Sequence, residues 1–207
     1  PQSSVLLTDL YQLTMLQGYF DQGMEETAVF EFFVRKLPSQ RNFLTAAGLE
    51  QTIAFLETMQ FAPEELDWIA RHGAFSTGFV HYLESFRFTG DVHAMPEGTV
   101  FFTNEPILRV TAPIAQAQLV ESRLINLLHF ETLIASKAAR SVLLAPRKLL
   151  VDFGLRRAHG TEAGLLAARA SYLAGFSGSA TVLAGPLFGV PVYGTIRHSF
   201  LQGHEDV

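Results

Sequence analysis

Leu149-Leu150-Val151-Asp152-Phe153-Gly154-Leu155-Arg156-Arg157 is the stretch on which the reading of this chain turns. It begins as a short apolar run, the pattern of a strand buried on both faces. It breaks at Gly154, where a chain can turn tightly, and then presents two adjacent guanidinium groups, Arg156 and Arg157. A helix-like stretch over residues 161–174 follows. Strand, turn and helix in that order put charge at the carboxyl end of a strand, where α/β folds bind their ligands. Two guanidinium groups there suit an anion with planar oxygens, a phosphate or a carboxylate. A surface turn with solvated arginines is the competing reading of the same residues.

The carboxyl side extends this pattern. Residues 179–183 read as a second strand and residues 190–193 as a third, an alternation expected of parallel βα units. The third leads into Gly194-Thr195-Ile196-Arg197-His198-Ser199-Phe200. Glycine permits a ligand to approach the backbone closely. Thr195 and Ser199 offer hydroxyls, and the His198 imidazole can act as acid, base or nucleophile near neutral pH. A lone histidine is usually structural, whereas one at a strand mouth beside hydroxyls and an arginine points to a site.

The amino side reads differently. Residues 6–23 are expected to form a helix capped by Thr8 or Asp9, with Leu10, Leu13, Met15, Leu16 and Phe20 as its apolar side. Tyr11 and Gln12 stand near its start, where a side chain can face a site; Tyr11 reads equally as a packing residue with its hydroxyl in water. A strand over 27–34 and a loop over 36–42 follow, then helices over 47–59, 63–71 and 79–86, the second opened by Pro63. Short alternating runs between residues 89 and 111 read as a small antiparallel unit ended by Pro113. Residues 114–145 read as mostly one long helix, with an interruption left open, Glu121, Arg123 and Glu131 as surface charges, and Asn126 and His129 able to share a face. A boundary near Ala145-Pro146 would divide an α/β amino-terminal domain (1–145) from the first βα units of an α/β barrel (146–207).

Composition narrows the function classes. Of 207 residues, 48% are hydrophobic, enough for a real core, and none is cysteine. Disulfides, thiolate catalysis and Cys-ligated metal are thereby excluded, and a reducing, cytoplasmic setting is expected. A net charge of −5 without a basic run argues against nucleic acid as a partner. No apolar run reaches the roughly 18 residues of a membrane span, and no signal-peptide pattern opens the chain. A complete eightfold barrel takes about 250 residues. Fewer than 60 follow Lys148, so the expectation is an amino-terminal part of a longer protein.

Three motifs, Thr8-Asp9-Leu10-Tyr11-Gln12, Asp152-Phe153-Gly154-Leu155-Arg156-Arg157 and Gly194-Thr195-Ile196-Arg197-His198-Ser199-Phe200, together resemble nicotinate phosphoribosyltransferase in order and spacing. Arg197 departs from the family, which usually has a small or apolar residue there. The resemblance implies a type II phosphoribosyltransferase fold: an α/β amino-terminal domain on an irregular, funnel-like α/β barrel. It implies that nicotinate is joined to phosphoribosyl pyrophosphate with coupled ATP hydrolysis and Mg2+, giving nicotinate mononucleotide. It implies phosphorylation of His198, a pyridine ring sandwiched between Phe153 and Tyr11 of a neighbouring subunit in a homodimer, Arg156 facing the nicotinate or phosphoribosyl end, and Thr195 beside the nicotinate. Asp152, Arg157, Ser179 and Ser199 are further site candidates. The related nicotinamide enzyme has an aspartate in the loop aligned with residues 176–181; none is present here, which favours the acid as substrate. A nicotinamide or quinolinate enzyme and a non-catalytic scaffold of the same fold are the alternatives.

Overall fold

The computed structural model describes residues 4–196, 200, 202 and 203. The chain is mixed α/β and falls into two compact units, the first ending at Leu133 and the second beginning at Ile134.

The first unit opens with α1 (Leu10–Asp21), whose Leu13 and Leu16 are buried. Asp9 is its N-cap residue, but its side chain makes no cap bond; Asp9 Oδ2 instead accepts from Ser122 Oγ at 2.8 Å. Thr8 makes no cap either, and its buried hydroxyl has no hydrogen-bond partner among the described residues. After β1 (Thr27–Phe32) and the two-residue β2 (Leu44–Thr45) come α2 (Leu49–Thr58), α3 (Pro63–His72) and α4 (Thr77–Glu84). Glu65 reaches back to accept from the Ala62 N–H at 2.8 Å, and Ser76 Oγ accepts from the Phe79 N–H at 3.2 Å, so both helices start on satisfied donors. Tyr82 of α4 lies among the rings of Phe20, Phe79 and Phe86. Burial there, with the Glu25 charge nearby, pushes its phenol above the ordinary value.

The strands β3 (Asp91–Ala94), β4 (Val100–Phe101) and β5 (Leu108–Pro113) do not form a self-contained unit as the sequence suggested. β5 lies between β1 and β3 in an antiparallel sheet, while β4 pairs with β2. Periodicity marks each run as a strand but carries nothing about its partner. Pro113 is the last residue of β5, opposite Thr27, and does not interrupt pairing. Leu108, Val110 and Ala112 point one way from the central strand and are buried. Leu108 and Val110 line one apolar groove with Ala117, Val120 and Leu124 of the following helix.

That helix, α5 (Ile114–Leu144), is unbroken for 31 residues. Arg123 and Glu131, expected on its surface, are 4% and 0% exposed. The reason is close packing. The backbone at Gly48, held at φ +99°, comes so near α5 that a Cβ would stand 3.1 Å from Leu127 O and 3.3 Å from Glu131 Oε1.

In the second unit β6 (Val151–Asp152) is followed by one 3₁₀ turn (Leu155–Arg157), α6 (Thr161–Leu173), β7 (Gly178–Ser179) and α7 (Ala184–Phe188). α6 ends on Gly175 at φ +105°: the Gly175 N–H bonds Tyr172 O, and the Phe176 N–H bonds Ser171 O. This closure returns the chain to pair β7 with β6 in parallel, Val151 opposite Gly178 and Asp152 opposite Ser179. The strand read as buried on both faces is shorter than expected. Val151 and Asp152 are half-buried, and Leu149 and Phe153 are exposed because they lie beyond the paired residues. The second strand also stops early, giving way to the unanticipated α7. The third reduces, among the described residues, to a single parallel bridge between Ser179 and Val192.

Candidate functional site

Parallel pairing gathers the carboxyl ends of three successive chain segments at one edge of the second unit. Asp152 is central to their geometry. Its Oδ1 accepts from the Gly154 N–H at 2.9 Å, and its Oδ2 accepts from Ser179 Oγ at 2.8 Å. Ser179 is wholly buried, and its Oγ also accepts from the Thr181 N–H at 3.0 Å. Both carboxylate oxygens are therefore engaged, one in its own turn and one across to the next strand. Asp152 and Ser179 act as a staple that sets the direction in which the chain leaves each strand.

The turn after Asp152 differs from the sequence expectation in one respect. Gly154 lies at φ −84° and ψ −14°, in the right-handed region open to any residue, so backbone torsion alone does not require glycine. The asparagine-type turn made by Asp152 bends the chain instead. Leu155 then packs on α6, its Cδ1 lying 2.5 Å from where a Cβ on Gly164 would stand. Leu155 is still 44% exposed, close to Phe153 at 48%, and Arg156 and Arg157 are exposed beside them. Among the described residues neither guanidinium has a hydrogen-bond or ion-pair partner. A flat apolar ring beside two free, fork-shaped donors can stack an aromatic ligand and bind its anionic oxygens.

The third segment closes on β7 through the Ser179 N–H to Pro191 O and the Tyr193 N–H to Ser179 O, each 3.0 Å. Gly178 makes this approach feasible: a Cβ there would stand 2.1 Å from Pro191 O and 2.8 Å from the Tyr193 ring. Thr195 is exposed just beyond, and among the described residues a Cβ on Gly194 would meet nothing within 4 Å beyond its chain neighbours. Arg197, His198 and Ser199 lie outside the described residues. The second unit thus joins Asp152 to Ser179 and presents Phe153, Arg156 and Arg157 directly after them.

Tyr11 belongs to the first unit, where it stands at the start of α1 and is 47% exposed. Beside it is a polar network that the sequence reading missed. Gln12, wholly buried, donates from Nε2 to Glu121 Oε2 at 2.8 Å and to the Tyr11 hydroxyl at 3.0 Å. Gln118 Nε2 donates to Gln12 Oε1 at 2.7 Å and to Glu121 Oε2 at 3.1 Å. The available signal was a glutamine on the buried side of an otherwise apolar helix, which requires buried partners. Asn126 accepts from Arg123 Nη1 at 2.8 Å, a pairing within α5. Among the described residues no group of three or more His, Cys, Asp or Glu is arranged to hold a metal ion, so no residue here is assigned to Mg2+.

A model of the nicotinate phosphoribosyltransferase N-terminal domain matches residues 6–129. The chain belongs to this family. A nicotinate phosphoribosyltransferase of Mycobacterium tuberculosis is 49% identical over 200 residues, covering 97% of this chain and 43% of its own length. One of Bacillus subtilis is 41% identical over 202 residues, covering 97% of this chain and 41% of its own. The chain therefore spans about two fifths of the length of these curated relatives. The human nicotinic acid phosphoribosyltransferase structure superimposes with a TM-score of 0.87 at 40% identity, over 95% of this chain and 40% of that one. A nicotinate-nucleotide pyrophosphorylase structure from Pyrococcus furiosus shares the fold, with a TM-score of 0.78 at 22% identity over 98% of this chain and 44% of that one. The family and fold expected from the three motifs are borne out.

Proposed function

We propose that the protein carrying this chain is a nicotinate phosphoribosyltransferase. It joins nicotinate to phosphoribosyl pyrophosphate, releasing pyrophosphate and yielding nicotinate mononucleotide for NAD biosynthesis in the cytoplasm. The observation that carries the reading is the exposed Phe153-Arg156-Arg157 turn, fixed at the carboxyl end of β6 by the Asp152–Ser179 bond. Family membership supports the identity of the reaction.

In this reaction the pyridine nitrogen forms a bond to the ribose C1 as the bond from C1 to the pyrophosphate oxygen breaks. Positive charge builds on the ribose, and negative charge leaves with pyrophosphate. Such a step needs a held ring and anion clamps more than a strong base. Phe153, with Tyr11 from a neighbouring subunit, would hold the ring; Arg156, supported by Arg157, would pair with an anionic oxygen; Thr195 and Ser199 would contribute hydroxyls. Nicotinate is favoured over its amide because the loop over residues 176–181 has no carboxylate. Asp152, which Ser179 of that loop contacts, has both carboxylate oxygens engaged by donors at 2.8 and 2.9 Å. ATP would transfer its terminal phosphoryl group to a nitrogen of His198, leaving ADP, and hydrolysis of that phosphohistidine would be coupled to product formation. Among the described residues no helix is long and apolar enough to cross a membrane.

The test is turnover by the full-length protein that carries this chain, with nicotinate, nicotinamide or quinolinate, each with and without ATP. Nicotinate should be used preferentially, and ATP should stimulate its use. Preference for the amide or the diacid, or no turnover of any of the three, overturns the reading. His198→Ala should retain slow, ATP-independent synthesis because phosphoribosyl transfer itself needs no nucleophilic imidazole. Stimulation by ATP at the wild-type level in that variant would remove His198 from the coupling step.

A further inference from the structure

We infer that Gln12 is a positioning residue for Tyr11, and that it commits the Tyr11 hydroxyl to donating its proton to an anionic ligand oxygen. The inference rests on the nicotinate phosphoribosyltransferase reading, in which the Tyr11 ring lies against the bound pyridine.

The carboxylate of Glu121 is an acceptor. Its Oε2 receives Gln12 Nε2 at 2.8 Å and Gln118 Nε2 at 3.1 Å. A flipped Gln12 amide would set its oxygen against that carboxylate and its nitrogen against the Gln118 nitrogen, which now donates to Gln12 Oε1 at 2.7 Å. The Gln12 amide therefore has one workable orientation. Its nitrogen carries a second N–H, and the Tyr11 hydroxyl lies 3.0 Å from that nitrogen, nearer than Ser122 Oγ at 3.4 Å. Gln12 is wholly buried, so water does not compete for this proton.

A phenol oxygen that accepts from Gln12 directs its own proton elsewhere. Tyr11 is 47% exposed as a residue, so an incoming ligand can approach its side chain. A carboxylate or phosphate oxygen forms the stronger bond there, because an ionised acceptor roughly doubles the strength of a neutral pair. The same face ties the start of α1 to α5 a second time, through Ser122 Oγ to Asp9 Oδ2 at 2.8 Å. The donor is thus held at a fixed place before ligand arrives, which lowers the ordering cost of binding. Tyr11 has two roles in this arrangement, one through its ring and one through its hydroxyl. Gln12 acts only through the second.

The experiment compares Tyr11→Phe, Gln12→Met and the double variant in the full-length protein that carries this chain, with steady-state kinetics in both substrates. Tyr11→Phe keeps the ring and alters an exposed position, so it should fold even if Gln12→Met does not. It should lower kcat/KM about tenfold for the substrate whose oxygen is engaged. A rise in KM for nicotinate identifies the carboxylate, and one for phosphoribosyl pyrophosphate identifies a phosphate. Gln12→Met should affect the same substrate, and the double variant should be no worse than the poorer single variant. Wild-type kinetics in Tyr11→Phe, or losses that multiply in the double variant, overturn the inference. A second readout needs no turnover: 3-fluorotyrosine at position 11, followed by ¹⁹F NMR in the unliganded protein. Its resonance should move in Gln12→Met, or in Gln118→Met if the former does not fold. If the wild-type full-length protein turns over no nicotinate, the functional reading fails. The hold of Gln12 on Tyr11 is then judged by this resonance, and an unmoved line overturns it.

Discussion

Arg156 is exposed and without a partner among the described residues, so its value lies in the ligand it meets rather than in the fold. Arg156→Ala should leave thermal unfolding unchanged, raise the KM for an anionic substrate and lower turnover. A charge-assisted pair is worth about 1.5–3 kcal/mol, on the order of a tenfold to hundredfold loss in kcat/KM. Unchanged kinetics for both nicotinate and phosphoribosyl pyrophosphate would take Arg156 out of the site. At this scale the sequence disclosed residue types better than residue environments. The arginine pair and Asp152 were visible as chemistry because their types and spacing are local. Arg123 and Glu131 were misread as solvated because burial depends on what lies across from a helix, here the backbone at Gly48 in the case of Glu131.

Among the elements, the short parallel strands are held by few bonds and by one close approach. Gly178→Ala would drive a methyl group into Pro191 O and the Tyr193 ring, forcing the third segment away from β7. We expect a loss of about 1–3 kcal/mol in the stability of the second unit, as for other overpacked sites, together with reduced turnover. Chemical denaturation followed by circular dichroism measures the former; an unchanged midpoint would show that the segment can move without cost. The helices α1 and α4 respond to pH through Tyr82. Burial raises its phenol above the ordinary value, so near pH 10 the folded form binds more protons than the unfolded one. Its contribution is complete below the unfolded value and is lost as pH rises through the folded one. The midpoint of thermal unfolding should therefore fall on going from about pH 9 to pH 11. Tyr82→Phe should flatten that fall, and an equal fall in the variant would assign it to other groups.

For the whole molecule, the proposed site would cross a two-fold interface, Tyr11 of one subunit serving the Phe153 and His198 of another. A closed two-fold dimer then contains two composite sites. Co-expression of a Tyr11→Ala chain with a His198→Ala chain should yield mixed dimers in which one site carries both defects and the other neither. Part of the ATP-coupled activity should return. Mixed dimers that form but recover nothing would place Tyr11 in its own subunit's site or outside any site. The sequence by itself determined the family, most of the helices and the longer strands, because motifs and periodicities are written in residues close together along the chain. Tertiary structure alone decided that β4 pairs with β2, that Ser179 staples Asp152 across two strands, and that Gln12 reaches Glu121 at a separation of 109 residues. An alternating or helical pattern states that a face will be covered, and leaves open by what. The covering residue is selected only when the whole chain packs and each buried polar atom must find a donor or acceptor within about 3 Å.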